Sequence, residues 1–221
     1  INFIQILGNV LDLGVPSDDT VTAAKLSSNA VTTAKLNDAS VSLAKLTATG
    51  TKNSTTFLRG DNTFNAPPNT GITMADQWRL TTNFTGDTTA MQNLERVDTK
   101  SPGLIGTAMS ESAGIFTFPS TGIYSIFFHV SGSATTAQLY HTCAIQVTTN
   151  GSSYATASSS DINYYGGTSY GNSMTQYVFD VTSTSTHKVR FNIDAVSTST
   201  NTLGNSNETQ TGMTFTRLGD T

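Results

Sequence analysis

The apolar positions along this chain fall into two regimes. Between residues 21 and 46 they recur at a spacing of ten: Val21-Thr22-Ala23-Ala24-Lys25-Leu26, Val31-Thr32-Thr33-Ala34-Lys35-Leu36 and Val41-Ser42-Leu43-Ala44-Lys45-Leu46. Each unit offers a Val at its first position and a Leu at its sixth. An offset of five puts the two on opposite faces of a strand, and about 140° apart on a helix. Neither period gives a unit one buried face. Each unit is therefore expected to run extended at Val-Thr and enter a short helical turn at Ala-Lys-Leu, with Thr or Ser as a local cap. So little apolar surface does not fold alone; it must be buried against neighbouring repeats or identical chains. The expectation is an oligomeric shaft over residues 21–50.

From residue 74 the period becomes two. Tyr124, Ile126, Phe128 and Val130 share one face of a predicted strand, and Ile123, Phe127 and His129 share the other with Ser125. Both faces are largely apolar, so one is expected in a sandwich core and the other at a subunit interface. Val189, Phe191, Ile193 and Ala195 alternate instead with Arg190, Asn192 and Asp194, which predicts a strand with one wet face. Similar runs at 77–82, 114–118, 140–148, 174–181 and 211–218 are separated by Gly, Ser, Thr and Asn turns. The fold class expected for 74–221 is all-β, an antiparallel sandwich or jelly roll. Sixteen of the nineteen aromatic residues lie there; only Phe3, Phe57 and Phe64 precede it.

Residues 1–20 are apolar-rich, and 51–73 form a polar connector ending at Pro67-Pro68, which cannot join a sheet ladder. The 221 residues include 40 Thr, 25 Ser and 17 Asn, and only 12% are charged, with a net charge of −4. This balance argues against nucleic-acid binding. No run approaches the ~18 apolar residues of a membrane span, so membrane insertion is not expected. Cys143 is the only cysteine, which excludes an intrachain disulfide. No Lys or Arg precedes Lys25, so no basic signal-peptide start is visible, and an opening Ile1 points to a fragment or a partly ordered chain.

Two resemblances sharpen this. Gly114-Ile115-Phe116-Thr117-Phe118-Pro119 followed by Gly122-Ile123-Tyr124-Ser125-Ile126-Phe127-Phe128-His129-Val130 resembles the globular head shared by complement component one, subunit q, and tumour necrosis factor. Leu94-Glu95-Arg96-Val97 resembles that family's early strand, and Thr214-Phe215-Thr216-Arg217-Leu218 its closing strand. The resemblance implies a ten-stranded jelly roll that trimerises through aromatic faces, preceded by a stalk. Tyr124, Ile126, Phe127, Phe128 and His129 are the expected core or trimer strand. The decapeptides and Phe57-Leu58-Arg59-Gly60-Asp61-Asn62-Thr63-Phe64 resemble bacteriophage tail-fibre and head-fibre sequences. Together they imply a homotrimeric viral fibre protein, made in the bacterial cytoplasm and carried on the virion. Its N-terminal segment either anchors to other virion proteins or begins the shaft. Its head is expected to bind a surface glycan or outer-membrane protein of the host. The alternative is a structural head fibre or tail component without dedicated receptor binding.

Candidate binding chemistry concentrates at 151–172, where Tyr154, Tyr164, Tyr165 and Tyr170 stand among Ser, Gly, Asp161 and Asn163. Rigid amphipathic rings among small hydrogen-bonders are the mix of antibody loops. The rings are expected to stack on a sugar while Asp161 and Asn163 hydrogen-bond to it. Catalytic candidates are thin: His141 and Cys143 share a strand face without an identifiable third group, and no pair of acids stands out for glycoside cleavage. Neither an enzyme nor a metal or other cofactor is expected. Arg59-Gly60-Asp61 is expected to be a solvated turn.

Overall fold

The computed structural model describes residue 16, residues 19–67, 71–195 and 197–221. The apolar stretch 1–20 lies almost wholly outside the described residues, as does Pro68. The chain divides into two compact units, Ile1–Pro68 and Asn69–Thr221.

In the first unit each decapeptide repeats one local geometry. Thr22 and Thr32 are extended (φ −82°, ψ 164° and φ −97°, ψ 166°), and single 3-10 turns follow at Ala23–Lys25, Thr33–Lys35 and Leu43–Lys45. The Thr side chains make no cap hydrogen bond, so capping by Thr is corrected. The lysine ammonium makes the local hydrogen bond instead. Lys25 Nζ donates to the Thr20 carbonyl at 2.6 Å, and Lys35 Nζ to the Ala30 carbonyl at 2.9 Å. That bond gives a physical reason for Lys at this repeat position. Between turns the backbone passes through the left-handed region at Asp19, Asn29 and Ala39, with φ 63°, 63° and 62°.

The unit ends in a small hairpin of β1 (Phe57–Leu58) and β2 (Phe64–Asn65). Arg59-Gly60-Asp61 lies in its turn, with both charged side chains about half exposed. The Thr63 hydroxyl donates to Asp61 and holds its carboxyl below the usual range.

In the second unit the strands are β3 (Met74–Leu80), β4 (Phe84–Thr85), β5 (Leu94–Arg96), β6 (Ser110–Ser112), β7 (Ile115–Thr117), β8 (Gly122–Ala134), β9 (Gln138–Thr148), β10 (Ala155–Tyr164), β11 (Ser169–Val181), β12 (Lys188–Ala195), β13 (Thr200–Thr202) and β14 (Gly212–Gly219). The ladders are antiparallel. One sheet runs β5-β3-β14-β8-β11, with β13 and β4 added beside the far end of β8; the other runs β10-β9-β12-β7-β6. β6-β7 and β9-β10 stay within one sheet, whereas the chain changes sheet at β7-β8, β8-β9, β10-β11 and β11-β12, as in an antiparallel jelly-roll sandwich.

Alternation sets the layers. Along β8 every even residue from Gly122 to Ala134 is buried and every odd one is half-buried. Tyr124, Ile126 and Phe128 therefore belong to the core, whereas Phe127 and His129 lie on the outer face. Phe116 of β7 sits between the sheets, with ring centroids 5.2 Å from Trp78, 5.5 Å from Phe191 and 5.0 Å from Phe215. Asp76 is also inside. Its carboxylate accepts from Trp78 Nε1, Arg96 Nε and the Gln77 and Met109 amides, so the buried charge is fully hydrogen-bonded.

Two outcomes test this packing. Phe116→Ala should lower unfolding free energy by about 3–5 kcal/mol in urea titration, since fully buried aromatic truncations fall in that range. Ala39→Gly should relieve a left-handed alanine, stabilising its turn by about 0.5–1 kcal/mol after the entropy of the added glycine. The readout is slower amide exchange at Ser40, whose N–H closes that turn onto the Asn37 carbonyl.

Candidate functional site

The 151–172 stretch is not one loop. Asn150 Oδ1 gathers the amides of Ser152 and Ser153 into a turn, and the chain then forms β10 on β9. The alternation of β10 carries Ile162 and Tyr164 inward, where both are buried. They fit because Gly132 of β8 and Gly171 of β11 face each other in register. A Cβ at Gly132 would collide with the Tyr164 hydroxyl and the His141 ring, and one at Gly171 would collide with Ile162.

The Tyr164 hydroxyl lies 3.0 Å from His141 Nδ1, and His141 Nε2 lies 3.0 Å from Thr202 Oγ1. Burial pushes the His141 pKa down to about 4 and the Tyr164 phenol up to about 12. Both groups are therefore neutral near pH 7. Tyr164 is a buried anchor, with an edge on a surface pocket, and not an exposed stacking ring. Cys143 shares its inward face but pairs elsewhere, with Sγ 3.4 Å from Ser173 Oγ and the thiol pKa raised by burial.

Next to this anchor the strand alternation turns Tyr165 outward, where it is 94% exposed. Gly166 and Gly167 then carry the chain through left-handed backbone into β11. Tyr165, Tyr164 and Asn163 line a pocket of about 410 Å³ together with Ala137 and, from the start of β9, Gln138 and Leu139. The Asn163 amide donates to the Leu139 carbonyl, tying the two walls. Leu139 is 78% exposed, so this end of the head presents an uncovered leucine and tyrosine beside amide groups. An apolar wall with a few oriented polar groups is the usual make-up of a ligand pocket. Reading the sequence missed Leu139 and Gln138. Neither carries a signal in the sequence, because Leu139 reads as a core residue until the structure shows it exposed at the start of β9.

The other expected residues are dispersed. Tyr154 is half-buried with the Arg190 guanidinium 4.3 Å over its ring. Asp161 accepts from Thr142 Oγ1 at 2.5 Å on the outer face of the second sheet. Tyr170 is exposed on β11 opposite Ser133. The outer face of the first sheet forms a different surface. There Phe127 and His129 of β8 share a face with the exposed Met174 and Val178 of β11. Burial lowers the His129 pKa.

No protein-family model matches the chain, and no curated protein matches it. Among solved structures it is similar to three crystal structures of murine APRIL, at pH 5.0, 8.5 and 8.0. Their sequences are 13%, 15% and 11% identical, with TM-scores of 0.48, 0.43 and 0.43. Each alignment covers 66% of this chain and 98% of that chain.

His141 gives this end of the head a definite pH response. Its folded pKa lies below the ordinary 6.5, so the folded chain takes up the proton less readily than the unfolded one. Stability should be complete above about pH 6.5, fall as pH drops to about 4, and then level off. The loss is about 3 kcal/mol at 1.36 kcal/mol per pH unit. Urea titrations across that range should show it, and His141→Gln should remove the His141 part of the slope while the part from His129, whose pKa is also lowered by burial, remains.

Proposed function

We propose that this chain is part of a homotrimeric bacteriophage fibre. Its repeats form a three-chain shaft, and its jelly-roll head adsorbs to a glycan or protein on the bacterial surface. The observation that carries the reading is the state of the repeat side chains. Val21, Val31 and Val41 are 52%, 53% and 52% exposed, and Leu26 and Leu36 are 46% and 47% exposed. Apolar side chains left equally uncovered at a fixed period are what a set of identical chains would cover. The outer face of the first sheet supports the same assembly in the head, since Met174 and Val178 are uncovered there. The resemblance of the decapeptides and of Leu58-Arg59-Gly60-Asp61 to phage fibres supports the viral setting.

Adsorption is assigned to the Tyr165–Leu139 pocket. Three copies on one assembly would raise a weak individual affinity through effective concentration. Adhesion fits these groups better than catalysis, because His141 has both ring nitrogens engaged and Cys143 is a buried, protonated thiol.

The full chain should sediment at three times its chain mass, and labelled protein should bind saturably to a narrow subset of a bacterial panel. Tyr165→Ala combined with Leu139→Ala should reduce cell binding at least about tenfold, a loss of ~1.4 kcal/mol, with sedimentation unchanged. A trimer that binds no strain would move the assignment to a structural head or tail fibre. A monomer would overturn the shaft.

A further inference from the structure

The outer face of the second sheet holds a depression of about 520 Å³ that shares no lining residue with the Tyr165 pocket. Strand pairing lays out its floor. Ala144 of β9 lies in register with Asn192 of β12 on one side and Ser159 of β10 on the other. One row away Thr142 pairs with Asp194 and Asp161, and in the opposite direction Gln146 pairs with Arg190 and Thr156. A single methyl group thus sits between rows of longer side chains, and the depression follows from that difference in length. A fourth wall comes from the segment before β5. Thr88 extends the sheet by exchanging two 2.9 Å backbone hydrogen bonds with Ile193, which brings Asp87 to the rim.

The polar groups around this floor are held in place before any ligand arrives. Asn192 Nδ2 donates to the Thr88 carbonyl at 2.9 Å. Gln146 accepts from Arg190 Nε at 2.8 Å and donates to Thr156 Oγ1 at 3.3 Å. Asp87 Oδ1 accepts from the Ala195 amide at 2.8 Å, and its second oxygen has no partner among the described residues. The exposed Asp194 carboxylate likewise has none. Two carboxylates with free acceptor sites, an amide carbonyl and several hydroxyls surround a small non-aromatic floor. Arg190, in register with Gln146, is already committed to Gln146 and to the face of Tyr154.

We propose that this depression is a binding site for one neutral sugar ring of a glycan. A ring with several hydroxyl donors matches unfilled carboxylate acceptors, and hydrogen bonds to ionised acceptors are the stronger kind. Prefixed amides lower the ordering cost of binding. The same carboxylates disfavour sialic and uronic acids. The assignment does not rest on the fibre reading, because it follows from the chemistry of this one sheet face.

The test is saturation-transfer NMR on the full chain with methyl galactoside, methyl glucoside and N-acetylglucosamine. Transfer is expected to at least one of them, with a Kd of about 1 mM. Asp194→Ala should weaken it more than about tenfold, the weight of one hydrogen bond to a charged group. Ser159→Phe should abolish it by filling the floor. Both positions are exposed and make no side-chain hydrogen bond among the described residues, so unchanged circular dichroism is expected. Tyr165→Ala should leave this signal intact while it weakens cell binding, so the two sites fail separately. Absence of transfer to all three sugars, a signal indifferent to Asp194 and Ser159, or preference for an acidic sugar would overturn the proposal. So would calorimetric calcium binding that is lost in Asp194→Ala, which would give the carboxylates to a cation.

Discussion

Everything the head presents to solvent depends on the contact between its two layers at Phe116. This ring comes from a three-residue strand, yet it meets Trp78, Phe191 and Phe215, which arrive from β3, β12 and β14. Because the period of a strand is two, fixing one residue inward fixes its neighbours outward. With Phe191 in the core, Asn192 must face out beside Ala144. With Phe128 in the core, Phe127 and His129 must face away from it. The polar depression and the apolar outer face thus follow from the inward registers of β12 and β8. A slip of a single residue in β12 would disrupt the first, and one in β8 the second.

The strands with large inward side chains were legible in the sequence. The 123–130 and 189–195 alternations fall inside β8 and β12; the pattern picks out the buried face of β12, while for β8, apolar on both faces, only the structure shows that Tyr124, Ile126 and Phe128 point inward. In sequence β10 looks like a binding loop, because only Ile162 and Tyr164 mark its inner face. Elsewhere along it hydroxyls replace apolar contacts: Ser158 and Thr175 share a 2.6 Å hydrogen bond between β10 and β11. Pairing of small hydroxyls stabilises a strand without leaving any hydrophobic period to detect. Asp76 was hidden for a different reason. A carboxylate that is 2% exposed contradicts every composition rule until its four donors, drawn from β3, β5 and Met109, are placed around it. The repeat lysines show the same limit. Their spacing announced a structural role, but only the geometry identifies the carbonyl each one holds.

The candidate site was half legible for the same reason. Tyr residues among Ser, Gly and Asn mark a surface suited to recognition, and Tyr165 and Asn163 do line a pocket. Composition does not separate Tyr164 from Tyr165, although they are adjacent and have opposite roles. Leu139 was hidden because an exposed leucine in a strand reads as core until the sheet's end is located.

The adjacency of those two tyrosines has an energetic meaning. An exposed aromatic side chain on a mobile turn must be ordered when it binds, at a cost of about 0.5–1.5 kcal/mol for a rotamer-rich side chain. Ordering a backbone residue adds roughly 1–2 kcal/mol. Tyr165 begins where the backbone has just been fixed, because Tyr164 is held by His141 and seated against Gly132. The glycines that loosen the turn come only afterwards, at Gly166 and Gly167. The ring presented to solvent is therefore carried on backbone ordered by folding itself, and part of the entropy of recognition is met before a ligand arrives. The polar depression reaches a similar end by another route. Its amides are fixed by hydrogen bonds across a sheet that is already rigid. In a chain with little charge, advance ordering of neutral groups is the means by which small contacts become selective.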